Sequence, residues 1–164
     1  MKATIVVYGS TTGTCNEIAQ SIASQLGVEA IEVTSLNEDV IAENDNLILG
    51  TSTWGAGELQ DDWYDGIKVL ESADLSGKTV ALFGCGDSSS YCDTFCDGIG
   101  IIYEAVKGAG ATVVGSVATD GYSYDASTAE VDGVFVGLPL DNDNESSKTD
   151  KRIDAWIKSI KELL

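Results

Sequence analysis

Histidine is absent from this chain of 164 residues. That absence removes the commonest biological base, and with it His-based catalytic triads and mixed Cys/His metal centres. Basic residues are scarce: nine Lys and Arg stand against 27 Asp and Glu, for a net charge of −18. A surface so acidic repels nucleic acid and anionic membranes and attracts basic faces on other proteins. Cysteine is sparse. Cys15, Cys85, Cys92 and Cys96 form no Cys-x-x-Cys pair and match no common zinc or iron–sulfur spacing. Long apolar runs are missing as well. The first residues carry one Lys and a short run ending at Gly9-Ser10, too little for a signal peptide or a membrane span. Free thiols in a reducing, cytoplasmic setting are the expectation.

What is present is organised around Gly9 to Asn16, which reads Gly-Ser-Thr-Thr-Gly-Thr-Cys-Asn. The preceding run, Ala3 to Tyr8, is β-branched and apolar, as in a buried strand. The following run places Ile18, Ile22 and Leu26 at helical spacing, with Ala19 and Ala23 beside them. The loop therefore joins the carboxyl end of a strand to the amino end of a helix, where unpaired amides and the helix dipole favour an anion. Ser10, Thr11, Thr12 and Thr14 add hydroxyl donors, and Gly13 permits close approach. No Lys or Arg is present, so this is not a Walker loop, and Gly9 and Gly13 do not fit G-x-G-x-x-G. Two readings remain open for the loop alone: a neutral nest for a terminal phosphate, or an ordinary polar turn with a Ser/Thr cap.

Further along, Gly27 is placed as a helix C-cap, Val28 to Val33 as a strand and Ser35 to Glu38 as the start of a short helical link. Leu47 to Thr51 forms a third strand, and Asp61 to Leu70 a helix with Trp63, Ile67 and Leu70 on one face. Thr79 to Gly84 is a fourth strand, Asp93 to Lys107 a helix and Ala111 to Val117 a fifth strand. Residues 119–137 interrupt that strand, which resumes at Val134 to Leu138. Asp143 to Asp150 is expected as a polar loop, with Thr149 capping a last helix whose apolar stripe is Ile153, Trp156, Ile157, Ile160 and Leu163 or Leu164. The pattern predicts a single α/β domain over residues 1–164. It is a doubly wound, five-stranded parallel sheet with helices on both faces.

Ligands in such sheets bind outside the carboxyl ends of the strands. Three loops there carry unusual chemistry: residues 9–15, 51–59 and 84–91. Trp54 in the second and Tyr91 in the third could sandwich a flat ring above the phosphate nest. Taken singly, Trp54 reads as packing over the sheet edge and Tyr91 as a loop aromatic.

At these motifs the sequence resembles the flavodoxin family. Ser10-Thr11-Thr12-Gly13-Thr14-Cys15 is similar to the family's phosphate loop. Thr51-Ser52-Thr53-Trp54-Gly55-Ala56-Gly57-Glu58-Leu59 is similar to its first flavin loop, and Gly86-Asp87 through Tyr91, then Asp93 and Phe95, to its second, with Cys85 just before it a further cofactor-binding candidate. The tail Phe135-Val136-Gly137-Leu138 with Asp141, Asp143 and Asn144 resembles the long-chain branch, as does the insertion. Two positions depart from the pattern: Cys15 stands where Thr is usual, and Gly55 where many long-chain members carry Asn.

The resemblance implies a carrier, not an enzyme. It implies non-covalently bound FMN passing single electrons at low potential among oxidised, semiquinone and hydroquinone states. Ser10, Thr12 and the amides from Thr11 to Cys15 would hold the phosphate. Trp54 and Tyr91 would stack on the ring, groups near Gly86 and Asp87 would meet the pyrimidine edge, and Asp141 the ribityl hydroxyls. The Gly55–Ala56 peptide would rotate to accept the N5–H of the one-electron-reduced ring, so Gly55→Ala should weaken that state. Glu58, Asp61, Asp62, Asp87 and Asp93 would oppose added negative charge. Partners would be reductases and low-potential oxidoreductases with basic docking faces, with no nucleic acid or membrane involved, and the chain a monomer. The alternative is an FMN-dependent reductase of the same fold, similar to quinone reductases. A receiver-like phosphorylation site is excluded because Gly9-Ser10 and Ser52-Thr53 occupy the places its acids require. A low-molecular-weight phosphatase would need Cys-x5-Arg, but Ser21 stands six residues after Cys15.

Overall fold

The computed structural model describes residues 2–9, 13–54 and 58–164, apart from the side chains of Trp54 and Asp143. The elements run β1 (Thr4–Gly9), α1 (Thr14–Leu26), β2 (Glu29–Glu32), α2 (Glu38–Glu43), β3 (Asn46–Trp54), β4 (Glu58–Leu59), α3 (Trp63–Ser72) and β5 (Thr79–Cys85). They continue as α4 (Asp97–Gly108), β6 (Thr112–Val114), β7 (Val117–Ala118), β8 (Glu130–Val131), β9 (Val134–Phe135), β10 (Leu138–Leu140) and α5 (Asn142–Ile160).

The central sheet is parallel, in the order β2-β1-β3-β5-β10. β6 lies against the first half of β5 (Thr79 to Ala81) and β10 against its second half (Phe83 to Cys85), both parallel. These two short strands are the halves of one fifth strand, divided by the insertion. Within the insertion β7, β9 and β8 form a small antiparallel sheet. The expected doubly wound arrangement with an interrupted last strand is therefore present.

Alternation along the strands sorts the core onto two faces. Val6, Tyr8, Ile48, Ala81, Phe83, Leu138 and Leu140 face α1 and α5, packing on Ile18, Ile22, Ile153, Trp156 and Ile160. Ile5, Val7, Leu47, Leu49, Val80 and Leu82 face the other way, onto Trp63 and Leu70 of α3 and Ile99, Ile102 and Val106 of α4. Each fully buried aliphatic side chain contributes about 1.5–3 kcal/mol, so both helical layers are held by the sheet rather than by intrinsic propensity. Gly50 is dictated by close packing, since a Cβ there would lie 2.1 Å from Cζ of Phe83.

Several boundaries differ from the sequence expectation. β3 continues through Trp54 and folds back onto β4 as an antiparallel hairpin, pairing Thr53 with Leu59 and Trp54 with Glu58. The fourth helix begins at Asp97 rather than Asp93, because Cys96 has φ 54 and a left-handed residue breaks an α-helix. The fifth strand stops at Val114 rather than Val117, where Gly115 turns the chain with φ 86, and resumes at Leu138 rather than Val134, because Val117 and Val134–Phe135 pair antiparallel in the insertion's sheet instead. The last helix starts at Asn142, with Asp141 as its cap, so residues 143–150 are not a loop and Thr149 lies inside the helix. Glu145, with φ −131 and ψ 38, offsets that first turn from the remainder.

Candidate functional site

Strand register brings the four loop origins to one edge. Gly9 pairs with Thr51, Thr51 with Gly84, Ser52 with Cys85, and Leu140 with Cys85. The segments that leave β1, β3 and β5 therefore emerge side by side at the carboxyl ends of the strands, as the sequence pattern required, and the segment that leaves β10 emerges beside them.

In the first loop, Ser10, Thr11 and Thr12 lie outside the described residues. Gly13 is the N-cap of α1 in the left-handed conformation (φ 94), and a Cβ there would meet nothing within 4 Å, so backbone angle rather than space selects glycine. Lacking a side chain, it supplies no cap of its own to the first amides of α1. Thr14 opens the helix. Cys15 is buried, and its thiol faces that of Cys85, which together with burial pushes the Cys15 thiol well up from its ordinary value. Cys15 can thus offer a ligand its backbone N–H but not its side chain.

The second loop is anchored from beneath. Trp63 Nε1 donates to the Gly50 carbonyl at 2.8 Å, and a Cβ on Gly9 would lie 2.6 Å from the same indole. Thr51 is buried and its hydroxyl donates to the Ser52 carbonyl at 2.9 Å. Thr53 Oγ1 accepts the Gly98 amide at 2.9 Å, tying this loop to the start of α4. The Trp54 backbone is strand, and Gly55, Ala56 and Gly57 lie outside the described residues.

The third loop is a chain of turns. The Gly86 amide donates to the Leu140 carbonyl at 3.0 Å, and a Cβ on Gly86 would lie 2.8 Å from the Cys96 nitrogen. Asp87 Oδ1 accepts the amides of Ser89 and Ser90, each at 3.0 Å. With the Asn144 carboxamide, those amides hold the Asp87 carboxyl below the usual carboxylate range, the Ser90 amide contributing most. Tyr91 is 45% exposed at the rim. Cys92 Sγ donates to Asp125 at 3.4 Å, and Phe95 turns inward to complete burial. Asp141 is fully buried. Its carboxylate caps α5 by accepting the Asn144 amide at 3.3 Å, and it also accepts the Ser88 hydroxyl.

Ser88 and Asn144 fall within the sequence motifs but receive no role there, and sequence reasoning missed Gly98. For Asn144 a signal existed: Asp141 followed by a polar first turn is an N-terminal helix signature. Ser88 and Gly98 carry no local pattern, because their partners are 53 and 45 residues away.

A profile of the family described as Flavodoxin matches residues 6–156. The chain belongs to the flavodoxin family. It is 43% identical to Flavodoxin 1 of Azotobacter vinelandii, covering 96% of this chain and 94% of that protein. It is also 43% identical to Flavodoxin 1 of Escherichia coli K12, over 100% of this chain and 96% of that one. Among solved structures, Fusobacterium nucleatum flavodoxin bound to flavin mononucleotide superposes with a TM-score of 0.94 at 35% identity, covering 100% of this chain and 99% of that one. The flavodoxin resemblance drawn from the loops therefore holds over nearly the whole length, insertion included.

Proposed function

We propose that this chain carries single electrons at low potential using non-covalently bound FMN. The observation that carries the reading is the convergence of the four loop origins at one sheet edge, in a family whose Fusobacterium member is solved with flavin mononucleotide. The donor set fits the group. The amides opening α1 behind a left-handed glycine suit a phosphate, and an exposed Tyr91 and the Trp54 loop, which leave neighbouring strands, suit a flat ring.

Ser10, Thr11, Thr12, Gly13, Thr14 and the Cys15 amide would hold the phosphate without a cation. Thr51, Ser52, Thr53, Trp54, Gly55, Ala56 and Gly57 would form one wall of the ring site. Cys85, Gly86, Asp87 and Tyr91 would form the other, with Asp141 near the ribityl chain. Bound FMN supplies the redox chemistry, taking up and releasing one electron at a time. The protein's part is to seat the ring, exclude water from one side of it and surround it with carboxylates. Those carboxylates oppose extra negative charge and so favour electron release. Family membership favours a carrier over an FMN-dependent reductase. The net charge of −18 favours protein partners with basic faces, met through steered encounter.

Titrating the purified protein with FMN and following flavin fluorescence tests the reading. The expected result is quenching that saturates at one FMN per chain, giving a yellow protein that passes electrons to a partner but oxidises no reduced nicotinamide by itself. A colourless protein that leaves FMN fluorescence unchanged overturns it.

A further inference from the structure

Asn144 lies on the first turn of α5, in the tail that resembles the long-chain branch, and its carboxamide joins that tail to the third loop. Nδ2 donates to Asp87 Oδ1 at 2.8 Å and to Asp141 Oδ1 at 2.9 Å. Both hydrogens of the amide are thereby spent, one on each carboxylate. The two acceptors also fix which way the amide faces, because its oxygen in that place would confront two carboxylate oxygens. The backbone adds a third link, the Asn144 N–H to Asp141 Oδ1 at 3.3 Å.

The two carboxylates belong to different segments. Asp87 organises the exit of β5 through the Ser89 and Ser90 amides, while Asp141 ends β10 and accepts the Ser88 hydroxyl through its other oxygen. Two carboxylate oxygens within 2.9 Å of a single nitrogen would repel across the cleft without a donor between them.

We infer that Asn144 is a positioning residue: its amide clips Asp87 to Asp141 and so fixes residues 86–91, the loop that presents Tyr91, against the last strand. The inference rests on the FMN reading above. Asn144 lies at the exposed rim, so each of its bonds is worth less than a buried one, and the expected effects are moderate.

The test compares the wild type with Asn144→Leu, Asn144→Asp and Thr149→Val. Thr149 bonds Asn142 on the same helix and touches neither carboxylate, so its loss reports on α5 alone. Asn144→Leu should weaken FMN binding about five-fold and make the second one-electron potential less negative as water reaches the loosened ring edge. In the FMN-free protein it should also speed hydrogen exchange at the Ser89 and Ser90 amides. Asn144→Asp places a third carboxylate in the clip. It should bind FMN worse at pH 7 and recover toward pH 5 as one carboxyl protonates and donates to its neighbour. The wild type should hold its affinity over that range, because Asp87, held below the usual carboxylate range, stays charged there. Thr149→Val should lower the melting temperature and leave affinity and potential alone. Wild-type affinity, potential and exchange in Asn144→Leu overturn the inference, as does a wild-type pH trend in Asn144→Asp. If Asn144→Leu does not fold, the Asn144→Asp trend decides alone. Failure of the wild type to bind FMN would instead sink the functional reading, and amide exchange in the FMN-free protein would still judge the clip.

Discussion

Replacing Phe95 with Ala should cost more than any other single change in the loops around the site. Phe95 is 1% exposed and closes an aromatic cluster that joins the third loop to the insertion. Its ring stacks on Tyr124 with centroids 5.6 Å apart and planes 28° apart, and it meets Tyr122 at 6.1 Å and Phe135 at 6.3 Å. Its backbone is held too, the amide donating to the Ala126 carbonyl at 3.2 Å and the carbonyl accepting the Ser127 hydroxyl. That second grip prevents the chain from collapsing into the space a truncation leaves, which places the penalty in the upper part of the usual range. Loss of a buried Phe costs about 3–5 kcal/mol in transfer and cavity energy. For a chain of this size that is a fall in melting temperature of roughly 6–20 °C. Urea unfolding of the FMN-free protein, followed by circular dichroism, measures it without any contribution from ligand linkage. A double-mutant cycle with Tyr124→Leu should show coupling of about 0.5–1.5 kcal/mol between the stacked rings. A penalty below about 1 kcal/mol for Phe95→Ala, or strict additivity in the cycle, would mean that the insertion and the third loop are not one packed unit.

Two further outcomes follow from the thiols and from the carboxylates. Cys15, Cys85 and Cys96 are buried and Cys92 is partly exposed, so a thiol reagent should label one site in the folded protein and four in denaturant. The Asp125 hydrogen bond holds the Cys92 thiol above its ordinary value, so Asp125→Asn should speed that labelling at pH 8; labelling of several thiols, or an unchanged rate, would contradict the geometry. Glu145 is held below its ordinary value, first by the Lys148 hydrogen bond and then by Arg152. A carboxyl lowered by folding stabilises above its unfolded pKa of about 4.3 and loses that contribution as pH falls through the lower folded value. Glu145→Gln should therefore be less stable at pH 7, by no more than about 1 kcal/mol since Lys148 is 51% exposed, and should match the wild type once acid has protonated Glu145. Equal acid limbs in denaturation curves from pH 7 to pH 2 would contradict it.

The parts of the fold legible in the sequence are those written in local periodicity. The stripe Ile18, Ile22 and Leu26 places α1, and the run from Thr79 to Gly84 places β5 to within one residue. The parts that differ depend on distant partners. Nothing around Asp93 says that the carbonyl of Cys92 will accept the amides of Asp125 and Ala126, and those bonds keep residues 92–96 out of the helix. The start of α5 is hidden because its first turn is polar throughout. Its core-facing stripe begins only at Ile153, so an apolar pattern cannot reveal it, and only the capping chemistry of Asp141 could. The site divides the same way. Gly13, Tyr91 and Asp87 stand out by residue type in a loop, whereas Asn144 and Ser88 act through bonds to segments over 50 residues away.

The manner in which the site's carboxylates are satisfied bears directly on the potential. Among the described residues, Asp87 and Asp141 meet neutral donors: backbone amides, the Ser88 hydroxyl and the Asn144 carboxamide. Among the described residues the ion pairs are those of Glu145 with Lys148 and Arg152, and they begin one residue beyond Asn144. A neutral donor fixes a carboxylate in place while leaving its charge intact, whereas a guanidinium would fix it and cancel it. On the proposed reading, the chain thus obtains rigidity beside the ring without surrendering the negative field there. Each 1.4 kcal/mol by which that field opposes an added electron lowers a one-electron potential by about 60 mV. Scarcity of Lys and Arg on this view suits the proposed site as much as the proposed docking surface: a cation at the place of Asn144 would hold the loop equally well and make a poorer reductant.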